Sequence, residues 1–151
     1  MKRRSAFFCL MLPLPACSNA QAAEDFCGES FCLRSISPDQ VRRRSPVEDF
    51  TLYDVTYRNR HFRIYEGDNP RAPGAFVRTV RTRLPASQAR LFRKEGQIEI
   101  YVDREAVPGP VPIDAPTPPP EFLHIATACR PDEECGIEDF ASLLQPRGQH
   151  Q

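Results

Sequence analysis

The chain has 151 residues, of which 20 are basic and 20 acidic, so its formal net charge is zero. This balance lacks the basic excess of nucleic-acid-binding domains, and we expect no nucleic acid as a partner. After removal of an N-terminal leader, about 130 residues remain, which suffice for one domain but not for two.

The leader comprises residues 1–22. Lys2, Arg3 and Arg4 give it a basic start, and an apolar core follows over residues 6–16. This core is too short to cross a bilayer, because a membrane-spanning helix needs about 20 residues. The pattern therefore predicts a signal peptide and an exported protein.

Two cleavage signals stand at the end of the leader. The tetrapeptide LPAC, which ends at Cys17, resembles the lipobox of Gram-negative lipoproteins, in which the cysteine is lipidated and begins the mature chain. The resemblance implies a lipid anchor on Cys17 and a membrane as partner. Residues 20–22, with the sequence AQA, fit ordinary signal peptidase instead. We favour the lipoprotein, and a soluble periplasmic or secreted form stays open because Pro15 is uncommon in a lipobox.

Four cysteines remain outside the leader, namely Cys27, Cys32, Cys129 and Cys135. In an oxidising compartment they predict two disulfides, for which three pairings exist. We favour the two local pairs, because turn-forming residues between the cysteines can bring their Cα atoms within bonding reach. Pairing between the two ends of the domain stays open. So does a zinc site, although zinc prefers more closely spaced cysteines.

Residues 23–48 hold the first cysteine pair and a predicted short helix. Ser37 is a suitable cap, Pro38 fits the first helical position, and Gln40 completes a capping box. Residues 42–44 are all arginine, and we expect them at the C-terminal end of this helix, where positive charge suits the dipole.

A β-hairpin is predicted next, with strands over residues 50–57 and 61–65. Apolar and polar side chains alternate in both runs, which is the period of a half-buried strand. Asn59 lies between them and tolerates the left-handed conformation of a tight turn. Residues 76–82 predict a third strand of the same antiparallel sheet.

A second hairpin is predicted over residues 89–103. Gly96 can take the positive φ of its turn. In the second strand, residues 98, 100 and 102 are aliphatic and alternate with Glu99, Tyr101 and Asp103, the pattern of a strand buried on one face. A short helix over residues 86–94 is the competing interpretation.

Residues 107–120 hold seven prolines in fourteen positions. Proline removes hydrogen-bond donors and fixes φ, so we expect an extended spacer that carries the chain across the sheet to a new edge. A polyproline ligand for a partner's groove stays open. Residues 122–127 predict a final strand.

A C-terminal helix is predicted to open at Pro131 and to end at Pro146, followed by a tail over residues 146–151. Acidic residues occupy its first turn, where the helix dipole favours them. Its apolar stripe is formed by Ile137, Phe140, Ala141 and Leu144.

The sequence thus predicts an α+β fold for residues 49–145. We expect a small, mostly antiparallel sheet of four to six strands with the C-terminal helix packed on one face, stapled by disulfides. The predicted core consists of Tyr53, Val55, Tyr57, Phe62, Ile64, Ile98, Ile100, Val102, Ile125, Phe140 and Leu144.

Motifs of catalysis are missing from the sequence. It has no H-E-x-x-H, no G-x-S-x-G, no glycine-rich phosphate loop and no EF-hand loop. His61 and His124 could share a metal if their strands adjoin, but we favour a satisfied or exposed histidine at both positions. We therefore predict no catalytic, cofactor-binding or metal-binding residues, and no enzyme.

Arginine offers the best hint of function. Residues 58–94 carry ten basic residues against two acidic ones, whereas residues 95–151 carry three basic residues against eleven acidic ones. If their strands adjoin, the arginines of the basic part form a surface for anionic envelope components. The candidates are Arg58, Arg60, Arg63, Arg78, Arg81 and Arg83. We favour the alternative that these arginines pair with the acidic last third.

We therefore expect an exported, non-enzymatic protein of the cell envelope, either a lipoprotein or a periplasmic module. It would bind an envelope polyanion or a protein, or have a structural role. A small secreted inhibitor of a hydrolase, presenting the loop at residues 66–74, is the alternative. An enzyme of unknown class is the third hypothesis.

Lipidation of Cys17 is testable on its own. We expect the exported chain to incorporate radiolabelled palmitate, and Cys17→Ala to abolish the label and move the protein to the soluble fraction. A mature N-terminus at Ala23, found by mass spectrometry, would show that ordinary signal peptidase processes the chain instead.

Overall fold

The computed structural model describes residues 25–47, 49–68, 70–84, 87–104 and 122–147. The leader, Cys17, the proline-rich segment and all but the first two residues of the predicted tail lie outside this part of the chain. Within it, no helix combines the length and the apolar composition that crossing a bilayer requires.

The fold is mostly β, so the predicted α+β class is wrong. Two antiparallel sheets of seven and three strands replace the single sheet of four to six strands, and the helix, α1, covers only Ile137–Ala141. The strands are β1 (Phe26–Cys27), β2 (Phe31–Leu33), β3 (Val41–Val47), β4 (Phe50–Tyr57), β5 (Arg60–Gly67), β6 (Ala75–Val80), β7 (Ser87–Lys94), β8 (Gln97–Arg104), β9 (Phe122–Ala128) and β10 (Leu144–Pro146).

The large sheet has the order β3-β4-β5-β9-β8-β7-β6. It consists of two three-stranded meanders, β3-β4-β5 and β6-β7-β8, with β9 inserted between them. The prediction that the last strand lies at a new edge is therefore wrong, because β9 pairs with β5 on one side and β8 on the other.

One core lies on the inner face of the large sheet. Tyr53, Ile64, Ile100 and Ile125 are fully buried there. The small sheet, β1-β2-β10, and α1 cover this face with a second apolar layer. That layer consists of Phe31, Leu33, Ile36, Ile137, Phe140, Ala141 and Leu144. Of the predicted core residues, ten are buried and Tyr57 is half-buried.

Both predicted hairpins are present. Arg58 and Asn59 have φ of 48° and 60°, so the first turn places two residues in the left-handed region, which Asn tolerates well. Gly96 has φ of 68° in the second turn. The competing helix over residues 86–94 is wrong, because β7 pairs with β8 along its whole length.

The predicted helix after Ser37 shrinks to a 3₁₀ turn at Pro38–Gln40. The Gln40 side chain accepts a hydrogen bond from the Ser37 N–H, at 3.0 Å, which agrees with the capping signal. The helix ends there because the three arginines belong to β3, whose backbone pairs with β4.

The C-terminal helix is also shorter than predicted. Cys135 and Gly136 have positive φ, so helical backbone begins only at Ile137. Leu144 lies in β10, opposite Leu33 of β2, and so does not extend the helix. A long-range strand pairing therefore outweighs the helical spacing of the apolar stripe.

Both disulfides are present, and both close locally. Cys27 and Cys32 face each other across β1 and β2, and Cys129 and Cys135 close the loop between β9 and α1. Disulfides indicate an oxidising compartment.

Glu66 fixes the first disulfide hairpin to the large sheet. Its side chain is 1% exposed and its two carboxylate oxygens accept hydrogen bonds from both layers. Oε1 accepts hydrogen bonds from the Ser30 N–H, at 2.7 Å, and from the Ser30 hydroxyl. Oε2 accepts hydrogen bonds from the Tyr53 hydroxyl, at 2.8 Å, and from the Glu29 N–H, at 3.2 Å. Burial and the Glu66 charge raise the pKa of Tyr53, so its hydroxyl remains a donor.

Glu66→Gln should destabilise the fold by about 2–3 kcal/mol. The substitution replaces one acceptor oxygen by an NH₂ group, which is a donor and cannot accept the hydrogen bonds made to that oxygen. Urea unfolding of the two proteins measures the difference. Glu95→Gln, at an exposed turn residue, is the matched control and should change stability by less than about 0.5 kcal/mol. Equal effects of the two substitutions would contradict a clamping role for Glu66.

Candidate functional site

A cleft of about 560 Å³ lies on the outer face of the large sheet, over β5, β9 and β8. We call it the outer-face cleft. Its floor is hollow because Ala126 of β9 pairs with Arg63 on one side and with Glu99 on the other. The small alanine leaves space between two long side chains.

The loop at residues 70–74 forms one wall of the cleft. The Tyr101 hydroxyl donates a hydrogen bond to the Arg71 carbonyl, and the Gly74 N–H donates one to the Glu99 carboxylate. A Cβ on residue 74 would collide with the Arg93 carbonyl, so only glycine lets the loop approach β7 this closely. These contacts hold Arg71 at the rim.

Aromatic rings form the opposite wall and extend along the floor. Phe50 and Tyr65 stack with their centroids 5.3 Å apart. The buried Tyr101 ring stacks on His124, with the two ring centroids 4.2 Å apart. The cleft therefore offers ring faces as well as polar groups.

Glu99 and His124 meet on the floor. Glu99 is 4% exposed, and its Oε2 lies 3.8 Å from the His124 Nε2, which is beyond hydrogen-bond distance. Both atoms are buried, and neither has a hydrogen-bond partner within the part of the chain that the structure describes. Buried polar atoms are rarely left this way, so the pair points to a bound polar group.

Burial also shifts the protonation of both groups. It raises the pKa of the Glu99 carboxyl, against the opposing effects of the Lys94 charge and the Gly74 N–H. Burial, with the charges of Arg71 and Lys94, lowers the pKa of His124 to about 4. His124 is therefore neutral at pH 7 and can accept or donate one hydrogen bond through Nε2.

Arg71 and Lys94 supply positive charge at the rim. Both are exposed, and neither has an ion-pair partner among the described residues. Arg63 also lines the cleft, but its Nε lies 2.9 Å from Asp54 and is partly neutralised. In the part of the chain that the structure describes, three basic residues thus line the cleft against two acidic ones, Asp49 and Glu99, a balance that suits a ligand with negative charge.

The six arginines predicted as an anion-binding surface do not lie together. Strands β5 and β6, which carry three of them, are separated by β9, β8 and β7. Arg58 pairs with Asp139 at 3.1 Å, and Arg78 pairs with two acidic residues around α1, as the alternative interpretation expects. Arg60 lines a separate hollow near Tyr57, and Arg81 and Arg83 are exposed after β6. Among the six, Arg63 lines the outer-face cleft.

The strands of His61 and His124 adjoin, but the two histidines are four register positions apart, about 13 Å along the strands. This distance is too long for a shared metal ion. Cys129, Glu133 and Cys135 do cluster, yet both sulfurs are joined in the disulfide.

Sequence reasoning missed Glu99 as a site residue because β8 has the alternation of a strand with one solvated face. The structure buries Glu99 and Tyr101 on that second face, under the loop at residues 70–74. Two aromatic residues in the sequence indicate that this face is covered. Phe92 and Tyr101 occupy positions where a solvated face would carry polar residues.

Comparisons of the chain with protein-family models, with curated proteins and with solved structures find no match. What the cleft binds is therefore inferred from its own geometry.

His124 should make stability depend on pH. Its pKa is about 4 in the folded chain and 6.5 ordinarily, so between these values the unfolded chain binds the proton and the folded chain does not. We expect this to lower the free energy of unfolding by about 3 kcal/mol as the pH falls from 6.5 to 4, since one pKa unit is worth about 1.4 kcal/mol.

Urea unfolding across this pH range measures the effect. His124→Phe keeps a ring against Tyr101 and should lack this part of the pH dependence. Glu99 acts in the opposite sense, because a raised carboxyl pKa stabilises the fold in acid and loses that contribution as the pH rises through it. Parallel curves for the wild type and His124→Phe would contradict the burial of a neutral histidine.

Proposed function

We propose that this protein is an exported, non-enzymatic binding protein of the cell envelope, which holds a small anionic ligand in the outer-face cleft. One observation carries the proposal. Among the described residues, Arg71 and Lys94 have no ion-pair partner, and Glu99 and His124, which line the floor of the cleft, each hold a buried polar atom without a hydrogen-bond partner.

The envelope location is supported by the leader and the disulfides. Two disulfides indicate oxidation outside the cytoplasm. The lipobox-like end of the leader favours a lipoprotein anchored through Cys17, and a soluble periplasmic or secreted form is the other arrangement.

The protonation of His124 argues against its acting as a general base. An effective general base has a pKa near the working pH, whereas the pKa of His124 is about 4. At neutral pH His124 is a weak base, which suits hydrogen bonding to a resident ligand more than proton abstraction.

The inhibitor hypothesis receives less support. Its candidate loop at residues 66–74 begins with Glu66, which is buried, and Gly67, which belongs to β5. Further along, Arg71 and Gly74 are bonded to the sheet through Tyr101 and Glu99. These contacts leave a short exposed tip to present to a hydrolase.

The proposal is tested by titrating the purified exported protein with soluble peptidoglycan fragments and with lipopolysaccharide. The double variant Arg71→Gln/Lys94→Gln should lose about tenfold in affinity, since two exposed ion pairs contribute up to about 1 kcal/mol each. Wild-type binding should also weaken as salt is added, because exposed charges are screened.

Arg81→Gln is the matched control, since Arg81 is exposed and lies outside the cleft. It should bind like the wild type. Absence of binding at low salt, or equal affinity of the wild type and the double variant, would overturn the proposal. Turnover of the fragments would favour an enzyme, and recovery of one stoichiometric protein partner from envelope extracts would favour the inhibitor.

A further inference from the structure

We propose that the ligand is an acidic sugar, and that Glu99 and His124 bind one of its hydroxyl groups between them. This inference rests on the proposed binding function and specifies the class of ligand. It assigns a separate task to each part of the cleft: the hydroxyl to the floor, the sugar ring to the aromatic wall, and the acid group to the rim.

The floor selects for a hydroxyl. Glu99 Oε2 and His124 Nε2 are 3.8 Å apart. An oxygen atom to one side of them, about 2.8 Å from each, would bridge the two atoms with two hydrogen bonds at roughly a right angle. A hydroxyl both donates and accepts. It therefore satisfies an ionised Glu99 beside a protonated Nε2, and equally a protonated Glu99 beside a bare Nε2. A carboxylate oxygen only accepts and would require both groups to be donors.

The floor is also pre-organised for such a contact. Glu99 is held by the Gly74 N–H, and the His124 ring is held by its stack on Tyr101. Glu99 is nine-tenths buried or more, with 4% of its surface exposed, so its Oε2 has little access to bulk solvent. A ligand hydroxyl would thus satisfy two atoms whose desolvation the fold has already imposed.

The rim selects for an acid group on the same small molecule. Arg71 and Lys94 line the same cleft as His124 and their charges act on it, so an anion bound near them shares the cleft with the floor. A ligand that reaches both places carries a hydroxyl and a negative charge on one compact frame.

The aromatic wall and the cavity size fit a sugar ring. The apolar C–H faces of a pyranose pack against aromatic rings, and the stacked Phe50 and Tyr65 supply such a surface beside the floor. The volume of about 560 Å³ falls within the range of sites for small molecules.

The experiment titrates the purified exported protein by calorimetry with four probes: glucuronate, glucose 6-phosphate, glucose and acetate. Glucuronate or glucose 6-phosphate should bind at least tenfold more tightly than glucose and acetate, and the tighter of the two identifies the acid group as carboxylate or phosphate. Acetate binding as tightly as both sugar acids would overturn the assignment of a hydroxyl to the floor.

Substitutions then separate the floor from the rim. Glu99→Gln and His124→Phe should each weaken binding of the sugar acid by about tenfold or more, while Arg81→Gln leaves it unchanged. Arg71→Gln should weaken the sugar acid more than glucose. If envelope fragments bind through Arg71 and Lys94 but Glu99→Gln and His124→Phe have no effect, the binding function stands and the hydroxyl site is wrong.

A measurement on the wild-type protein avoids any folding defect of the variants. Nitrogen-15 NMR of the histidine rings should show the His124 Nε2 signal shifting on addition of the sugar acid, because it gains a hydrogen bond. His61, which is exposed and bonded to Thr56, is the internal control and should not move. An unchanged His124 signal at saturating sugar acid would overturn the proposal.

Discussion

The pairing of β9 in the centre of the large sheet is the constraint on which the rest of the molecule depends. It joins two local meanders that have no other shared strand, by pairing with β5 and β8 at once. Its inner residues, Leu123 and Ile125, are fully buried in the core. Its outer residues, His124 and Ala126, form the floor of the outer-face cleft. The core and the cleft therefore lie on opposite faces of the sheet and share the inserted strand, β9.

Two buried glutamates, both within the described part of the chain, show how the two faces of the sheet differ. Glu66 on the inner face is satisfied from both sides, and its bonds to Ser30 and Tyr53 tie the first disulfide hairpin to the sheet. Glu99 on the outer face keeps one oxygen without a partner among the described residues. The bonds of Glu66 hold two layers of the fold together, whereas we propose that the open oxygen of Glu99, beside a neutral histidine, binds a ligand.

The basic residues of the chain fall into two groups, those in ion pairs and those at the rim of the cleft. The basic middle and the acidic end of the chain meet around α1, where Arg58 pairs with Asp139 and Arg78 with Glu134. These exposed pairs contribute little stability each and neutralise part of the positive charge of residues 58–94. We propose that the charge offered to a ligand comes instead from Arg71 and Lys94, at the rim beside the loop at residues 70–74.

The sequence by itself determined the local elements: both hairpins, the strand after the proline-rich segment and the disulfide-bearing ends, because residue alternation and turn chemistry act over a few residues. Tertiary structure decided where β9 pairs, how many strands the sheets have, and that Leu144 joins β10. It also decided the burial of Glu99 and Tyr101, which a periodic pattern assigns to solvent. These features depend on strands and loops distant in sequence, since a partner strand or covering loop changes the environment of a residue without changing the pattern around it.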